Sequence, residues 1–87
     1  MNTQTYTIET LTDVIVANAN AKAKPASWLS ATFEVEGFPA RVGVKAYGRW
    51  VQRIECCGMA DGVAEQPTLK ALRAQVIDLL SRMQRSV

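Results

Sequence analysis

Leu69, Leu72, Val76, Leu79, Leu80 and Met83 recur at intervals of three and four residues near the end of the chain. Residues spaced this way fall on one stripe of an α-helix, and a stripe this apolar has to be covered by another part of the fold. The spacing predicts a helix over Pro67–Gln84, with Pro67 in its first turn. Asp78 and Arg82 would form an i, i+4 pair, and Arg82 and Arg85 stand where a helix C-terminus favours cations.

The cover is supplied upstream, where the apolar period falls to two. Leu29, Ala31, Phe33 and Val35 alternate with Ser30, Thr32, Glu34 and Glu36, the pattern of a half-buried strand. Gly37-Phe38-Pro39 carries turn chemistry, after which Val42, Val44 and Ala46 alternate with Arg41, Gly43, Lys45 and Tyr47. Gly48 permits a second reversal into Arg49–Cys57, where Trp50, Gln52, Ile54 and Cys56 face one way and Arg49, Val51, Arg53 and Glu55 the other. Gly58-Met59-Ala60-Asp61-Gly62 then ends the sheet, leaving a three-stranded antiparallel meander.

The first residues carry two competing patterns. Thr5 to Thr10 alternates like a strand, whereas Leu11, Val14, Ile15 and Ala19 share one helical face. A helix over Leu11–Ala23 follows, capped by Thr10 with Asp13 and closed by Pro25; a strand replacing part of it is the alternative, favoured by the β-branched run Val14-Ile15-Val16. The expected architecture is a single α+β domain over residues 1–87, in the order α-β-β-β-α. Phe33, Val35, Val42, Val44, Trp50 and Ile54 would pack beneath Leu69, Leu72, Val76, Leu79 and Met83.

A chain of 87 residues builds one modest core and has little room for a deep substrate cavity. Histidine is absent, which removes the commonest general base, the Ser-His and Cys-His pairs and most zinc sites. The cysteines, Cys56 and Cys57, are adjacent; a disulfide between them would be strained and close no useful loop. One core thiol and one more exposed thiol is the simpler reading, and free thiols suit a reducing, cytoplasmic setting. Gly43 and Gly48 have the glycine spacing of a phosphate-binding loop, but Arg49 and Trp50 stand where that motif needs Lys and Ser or Thr. The expectation is a non-enzyme with no catalytic residue, cofactor or metal, and no apolar run long enough to cross a membrane.

What remains is charge. The net balance is only +2, yet Arg41, Lys45, Arg49 and Arg53 cluster mid-chain against Glu55 alone, with Tyr47 and Trp50 nearby and Trp28 just before the first strand. Arg, Tyr and Trp are the residues that anchor protein interfaces. The partner-binding set is therefore Trp28, Arg41, Lys45, Tyr47, Arg49 and Arg53. A larger host protein or ribonucleoprotein complex is the expected partner, because Glu34, Glu36 and Glu55 interleave with the cations and weaken the field felt by a polyanion. Direct DNA or RNA binding by the same face is the alternative. A further alternative is a homodimer through Val76, Ile77 and Leu80 of the last helix.

Residues 43–55, Gly43-Val44-Lys45-Ala46-Tyr47-Gly48-Arg49-Trp50-Val51-Gln52-Arg53-Ile54-Glu55, resemble the first two strands of AP2/ERF-type DNA-binding domains. That resemblance implies a three-stranded sheet backed by one helix, with Arg41, Lys45, Arg49 and Arg53 in the major groove. The family's third strand and its Leu-Gly-x-Phe run have no counterpart in Gly58–Gln66. The element order is also similar to that of double-stranded-RNA-binding domains, without their Lys-Lys-x-x-Lys motif at Thr68-Leu69-Lys70-Ala71-Leu72. In size and makeup the chain is similar to small inhibitor proteins of phages and mobile elements, anti-CRISPR proteins among them, which implies action by occluding a host complex that handles nucleic acid.

Overall fold

The computed structural model describes residues 4–20 and 28–87. Two helices lie on one face of a five-stranded sheet whose strands follow chain order: β1 (Thr5–Tyr6), β2 (Trp28–Val35), β3 (Val42–Tyr47), β4 (Trp50–Cys56) and β5 (Met59–Val63). Helix α1 (Ile8–Ala19) lies between β1 and β2 in sequence, and α2 (Leu69–Ser86) follows β5. Strands β2 to β5 form an antiparallel meander, and β1 adds a short parallel edge through Thr5 opposite Glu34 and Tyr6 opposite Val35.

The α+β class and the long C-terminal helix agree with the sequence reading; the three-strand count does not. Gly58–Gly62 continues the sheet, because Cys57 and Gly58 both adopt positive φ, +55° and +80°. Positive φ at both central residues is what a tight two-residue hairpin turn needs, so the chain reverses and Met59 pairs with Cys56. The α-β-β-β-α order is corrected to β-α-β-β-β-β-α.

Both helices start at a threonine. Thr7, extended after β1, accepts from Thr10 N–H at 3.1 Å, while Thr7 N–H donates to Thr10 Oγ1 at 2.7 Å. This reciprocal cap begins α1 one turn before the Thr10–Asp13 position expected of it. The competing strand pattern is real but brief, since Thr5 and Tyr6 are held by β2 and Tyr6 stands edge-on to Phe33 with centroids 5.2 Å apart. The expected continuation to Ala23 and closure at Pro25 lie outside the described residues. Thr68 caps α2 by accepting from Ala71 N–H at 3.1 Å, so Pro67 precedes the cap instead of opening the helix.

Helix α1 packs against β2, β3 and α2, and α2 packs against α1 and β5. Leu11 and Ile15 of α1 join Val42, Val44, Val51, Ile54, Leu72, Val76 and Leu80 in one closed core. Thr12, the buried polar residue there, donates its hydroxyl to Ile8 O at 2.7 Å, so no hydrogen bond is lost. Val76 and Leu80, offered by the sequence for self-association, are enclosed by the chain itself.

The expected inward set on β4 is corrected. Lys45 pairs with Arg53 but Ala46 pairs with Val51, and on the other side Val51 pairs with Val63 but Ile54 with Asp61. One extra residue is thus accommodated at Gln52–Arg53, a β-bulge. It reverses the alternation, so Val51 points into the core with Ile54 and Cys56, and Trp50 turns outward. Leu29 and Ala31 also depart from expectation, being half-buried and exposed, whereas Phe33 and Val35 are buried.

Candidate functional site

The helices cover one face of the sheet and leave the other open, and strand register arranges that open face in rows. Trp28 lies opposite Tyr47, and Tyr47 opposite Trp50. Ser30 lies opposite Lys45, and Lys45 opposite Arg53; next come Thr32, Gly43 and Glu55. An aromatic row, a basic row and a row of hydroxyl, glycine and carboxylate therefore succeed one another along the strands.

The aromatic row is a packed cluster. The Trp28 ring lies 5.2 Å from Tyr47 and 5.6 Å from Trp50, tilted against the first and edge-on to the second. Such pairs contribute about 0.5–1.5 kcal/mol beyond the area they bury. Trp28 nevertheless remains 46% exposed, Tyr47 39% and Trp50 38%. The rings are thus held by one another while still presenting apolar surface to solvent, and Lys45 Nζ stands 5.3 Å from the Trp28 ring centroid, within cation–π range.

Beside this row lies an open groove of about 470 Å³, lined by Ser30, Thr32, Gly43, Lys45, Arg53 and Glu55 among others. Gly43 leaves its floor without a side chain; a Cβ there would come within 3.3 Å of Glu55 Cγ. Arg53 Nη2 donates to Glu55 Oε2 at 2.7 Å, the two side chains lying along the same strand, β4. Lys45 has no carboxylate within ion-pair distance among the described residues, and its contact on this face is the Trp28 ring.

The two other expected site residues stand apart. Arg41 is at the far end, donating to Thr32 Oγ1 at 3.2 Å and Thr32 O at 3.3 Å, with Glu34 at 3.9 Å. Arg49 sits in the β3–β4 turn and donates through Nε to Gln66 O at 2.6 Å, while Gln66 N–H donates back to Arg49 O. It ties the lead-in of α2 to the sheet. Of the six expected residues, Trp28, Lys45, Tyr47 and Arg53 come together, and Arg41 and Arg49 are engaged elsewhere.

Trp50 completes the aromatic row, although the alternation places it in the core. The signal for its true position is the adjacent apolar pair Trp50-Val51, which a regular strand would split between faces. The groove residues Ser30, Thr32, Gly43 and Glu55 carry no motif and emerge only from register. Among the described residues no group of three or more His, Cys, Asp or Glu could hold a metal ion, and no helix is long and apolar enough to cross a membrane. No family model matches the chain, and no curated protein or solved structure matches it significantly.

Proposed function

We propose that the chain is a small non-enzymatic binding protein that seats its open sheet face on a larger protein or ribonucleoprotein complex, as an inhibitor of the phage or mobile-element type acting by occlusion. The observation that carries this reading is the aromatic row. Three large rings, each more than a third exposed, are fixed against one another on the face the helices leave bare. Rigid Trp and Tyr side chains lose little freedom on binding and dominate the energetics of protein interfaces. The partner surface that fits is an apolar cleft beside a carboxylate, the cleft taking the rings and the carboxylate meeting Lys45.

The adjacency of Lys45 and Arg53 favours a second reading, in which the same face binds nucleic acid, since like charges directly opposite on neighbouring strands are unfavourable unless an anion bridges them. Arg53 already has Glu55, however, and a carboxylate within the groove repels phosphate.

Both tryptophans of the chain lie in the aromatic row, so intrinsic fluorescence reports directly on its occupancy. Titrating a complex captured from cell extract should shift that emission to the blue. Trp50→Ala or Tyr47→Ala should weaken the capture by about thirtyfold or more, equivalent to roughly 2 kcal/mol, while Arg41→Ala is nearly silent. A labelled duplex and a labelled single strand should remain unbound at physiological salt. Submicromolar binding of either nucleic acid, with a steep salt dependence, would replace this reading by the second.

A further inference from the structure

The β4–β5 turn carries a residue that its backbone does not favour. Cys57 and Gly58 have φ of +55° and +80°, and the first of two such positions is ordinarily Asn, Asp or Gly. Cysteine gains nothing from left-handed backbone, where Asn and Asp offer local hydrogen bonds. What it gains here is a neighbour. Adjacent side chains of an extended strand point to opposite faces, but the turn swings Cys57 back so that Cys56 Sγ donates to Cys57 Sγ at 3.5 Å.

The two thiols differ in setting. Cys56 is buried at the end of β4, where Ala40 O, 3.6 Å from its Sγ, is the alternative acceptor for its single S–H, whereas Cys57 is exposed. Burial, followed by the nearby Cys57 thiol, raises the pKa of Cys56 above the ordinary thiol value. Cys57 is accordingly the sulfur that meets a reagent first, and Cys56 the one that closes the ring.

We propose that Cys56 and Cys57 form a preorganised dithiol site that captures one trivalent arsenical. If arsenic–sulfur bonds take about the 2.3 Å of zinc–thiolate bonds, two of them spanning the observed 3.5 Å enclose an angle of roughly 100°. That is the angle of a pyramidal trivalent centre. A linear two-coordinate soft cation would need the sulfurs roughly 4.6 Å apart on the same bond lengths. Tetrahedral zinc would lack half its ligands, since the described residues contain no group of three or more metal-ligating side chains. Oxidation to a disulfide is disfavoured as well, because adjacent Cα atoms about 3.8 Å apart fall below the range of about 4.4–6.8 Å that a relaxed disulfide spans.

With hydrated phenylarsine oxide, each thiol displaces one hydroxyl from arsenic. Two As–O bonds break and two As–S bonds form, the thiol protons leave with the hydroxyls as two waters, and no oxidation state changes.

The test treats the reduced protein with one equivalent of phenylarsine oxide, reads the intact mass, and challenges the adduct with a large excess of 2-mercaptoethanol or with 2,3-dimercaptopropanol. Wild type should carry one phenylarsenic group that survives the monothiol and is removed by the dithiol. Cys57→Asn keeps a residue suited to the turn and so preserves the fold; it should lose the resistant adduct. Equal stripping of wild type and Cys57→Asn by the monothiol would overturn the site. So would an adduct that forms only after the protein is unfolded in urea, which would show the pair inaccessible in the native chain.

Discussion

Adding one carbon at Gly62 should destabilise the protein, although the residue is exposed and lies in a strand. On general grounds the change is favourable: replacing Gly by Ala where the backbone tolerates it stabilises by about 0.4–1 kcal/mol, through the unfolded chain. The surroundings reverse that sign. A Cβ at Gly62 would lie 2.9 Å from both Val51 O and Gln52 O, and these are backbone atoms of the bulge that cannot rotate away. Displacing packed structure to admit a methyl costs on the order of 1–3 kcal/mol. The net expectation for Gly62→Ala, taking the middle of both ranges, is a loss of about 1.3 kcal/mol, or roughly 5–10 °C in Tm for a domain of this size. Thermal and urea unfolding followed by far-ultraviolet circular dichroism measure it. Gly43→Ala is the control, because its Cβ first meets Glu55 Cγ at 3.3 Å, on an exposed side chain that can shift together with its exposed ion-pair partner Arg53, and its effect should stay within about 0.5 kcal/mol. If Gly62→Ala is as stable as wild type or more so, the carbonyls of Val51 and Gln52 do not close over Gly62 and the bulge geometry is refuted.

Leu72→Ala removes a fully buried side chain from the helix–sheet core and should cost about 2–5 kcal/mol in urea unfolding; a change of a few tenths would mean that α2 does not close the core. Thr7→Ala deletes the oxygen that receives Thr10 N–H and should lower stability by about 1 kcal/mol, with part of the loss recovered in Thr7→Ser. The pH dependence follows from Cys56, whose folded pKa is raised above the ordinary value of 9.0 by burial and by Cys57. Folding therefore favours its protonated form; that contribution is full below about pH 9 and is lost as pH rises through the folded pKa. The stability advantage of wild type over Cys56→Ala in urea melts should shrink across this alkaline range, and a constant difference would refute the assignment.

How far the fold can be read in the sequence depends on whether a local rule is decided locally. Leu72, Val76, Leu79 and Met83 announce α2 because a helical stripe is a property of one segment, and all four are buried as the spacing requires. Val42, Val44 and Ala46 announce β3 equally well. Strand β5 is hidden because Met59-Ala60-Asp61-Gly62-Val63 has almost no apolar alternation; Val63 is its buried hydrophobic residue, and the strand is held in place by pairing with β4 and by the Cys57-Gly58 turn. Burial of Phe33 but not Ala31 is hidden for a different reason. Alternation tells which residues share a face but not how far along the strand the helices reach.

The basic residues show the same division. Their clustering in residues 41–53 is visible in the sequence, but whether each is free depends on backbone groups distant in the chain. Arg49 is bonded to the carbonyl of Gln66 and Arg41 to that of Thr32, partners that no charge pattern reveals. Lys45 and Arg53 meet because β3 and β4 are neighbours in a hairpin, the shortest-range pairing a sheet contains.

The bulge at Gln52–Arg53 connects these observations. Trp50 and Arg53 are three residues apart, so in a regular strand they would occupy opposite faces, one in the core and one in solvent. The extra residue brings both to the open face, where Trp50 completes the row with Trp28 and Tyr47, and Arg53 stands beside Lys45. The irregularity that conceals Trp50 from the alternation rule is thus the feature that assembles the aromatic row on the open face. Gly62 opposite it, without a side chain, leaves room for the displaced carbonyls of Val51 and Gln52. Stability and the placement of the aromatic row are consequently linked at a residue that is not part of that row. A folded Gly62→Ala variant that relieves the crowding by flattening the bulge should disturb the Trp28–Trp50 contact, and tryptophan emission and partner affinity should change together. If stability falls while emission and affinity are unchanged, the strain is absorbed in β5 and the aromatic row does not depend on the bulge.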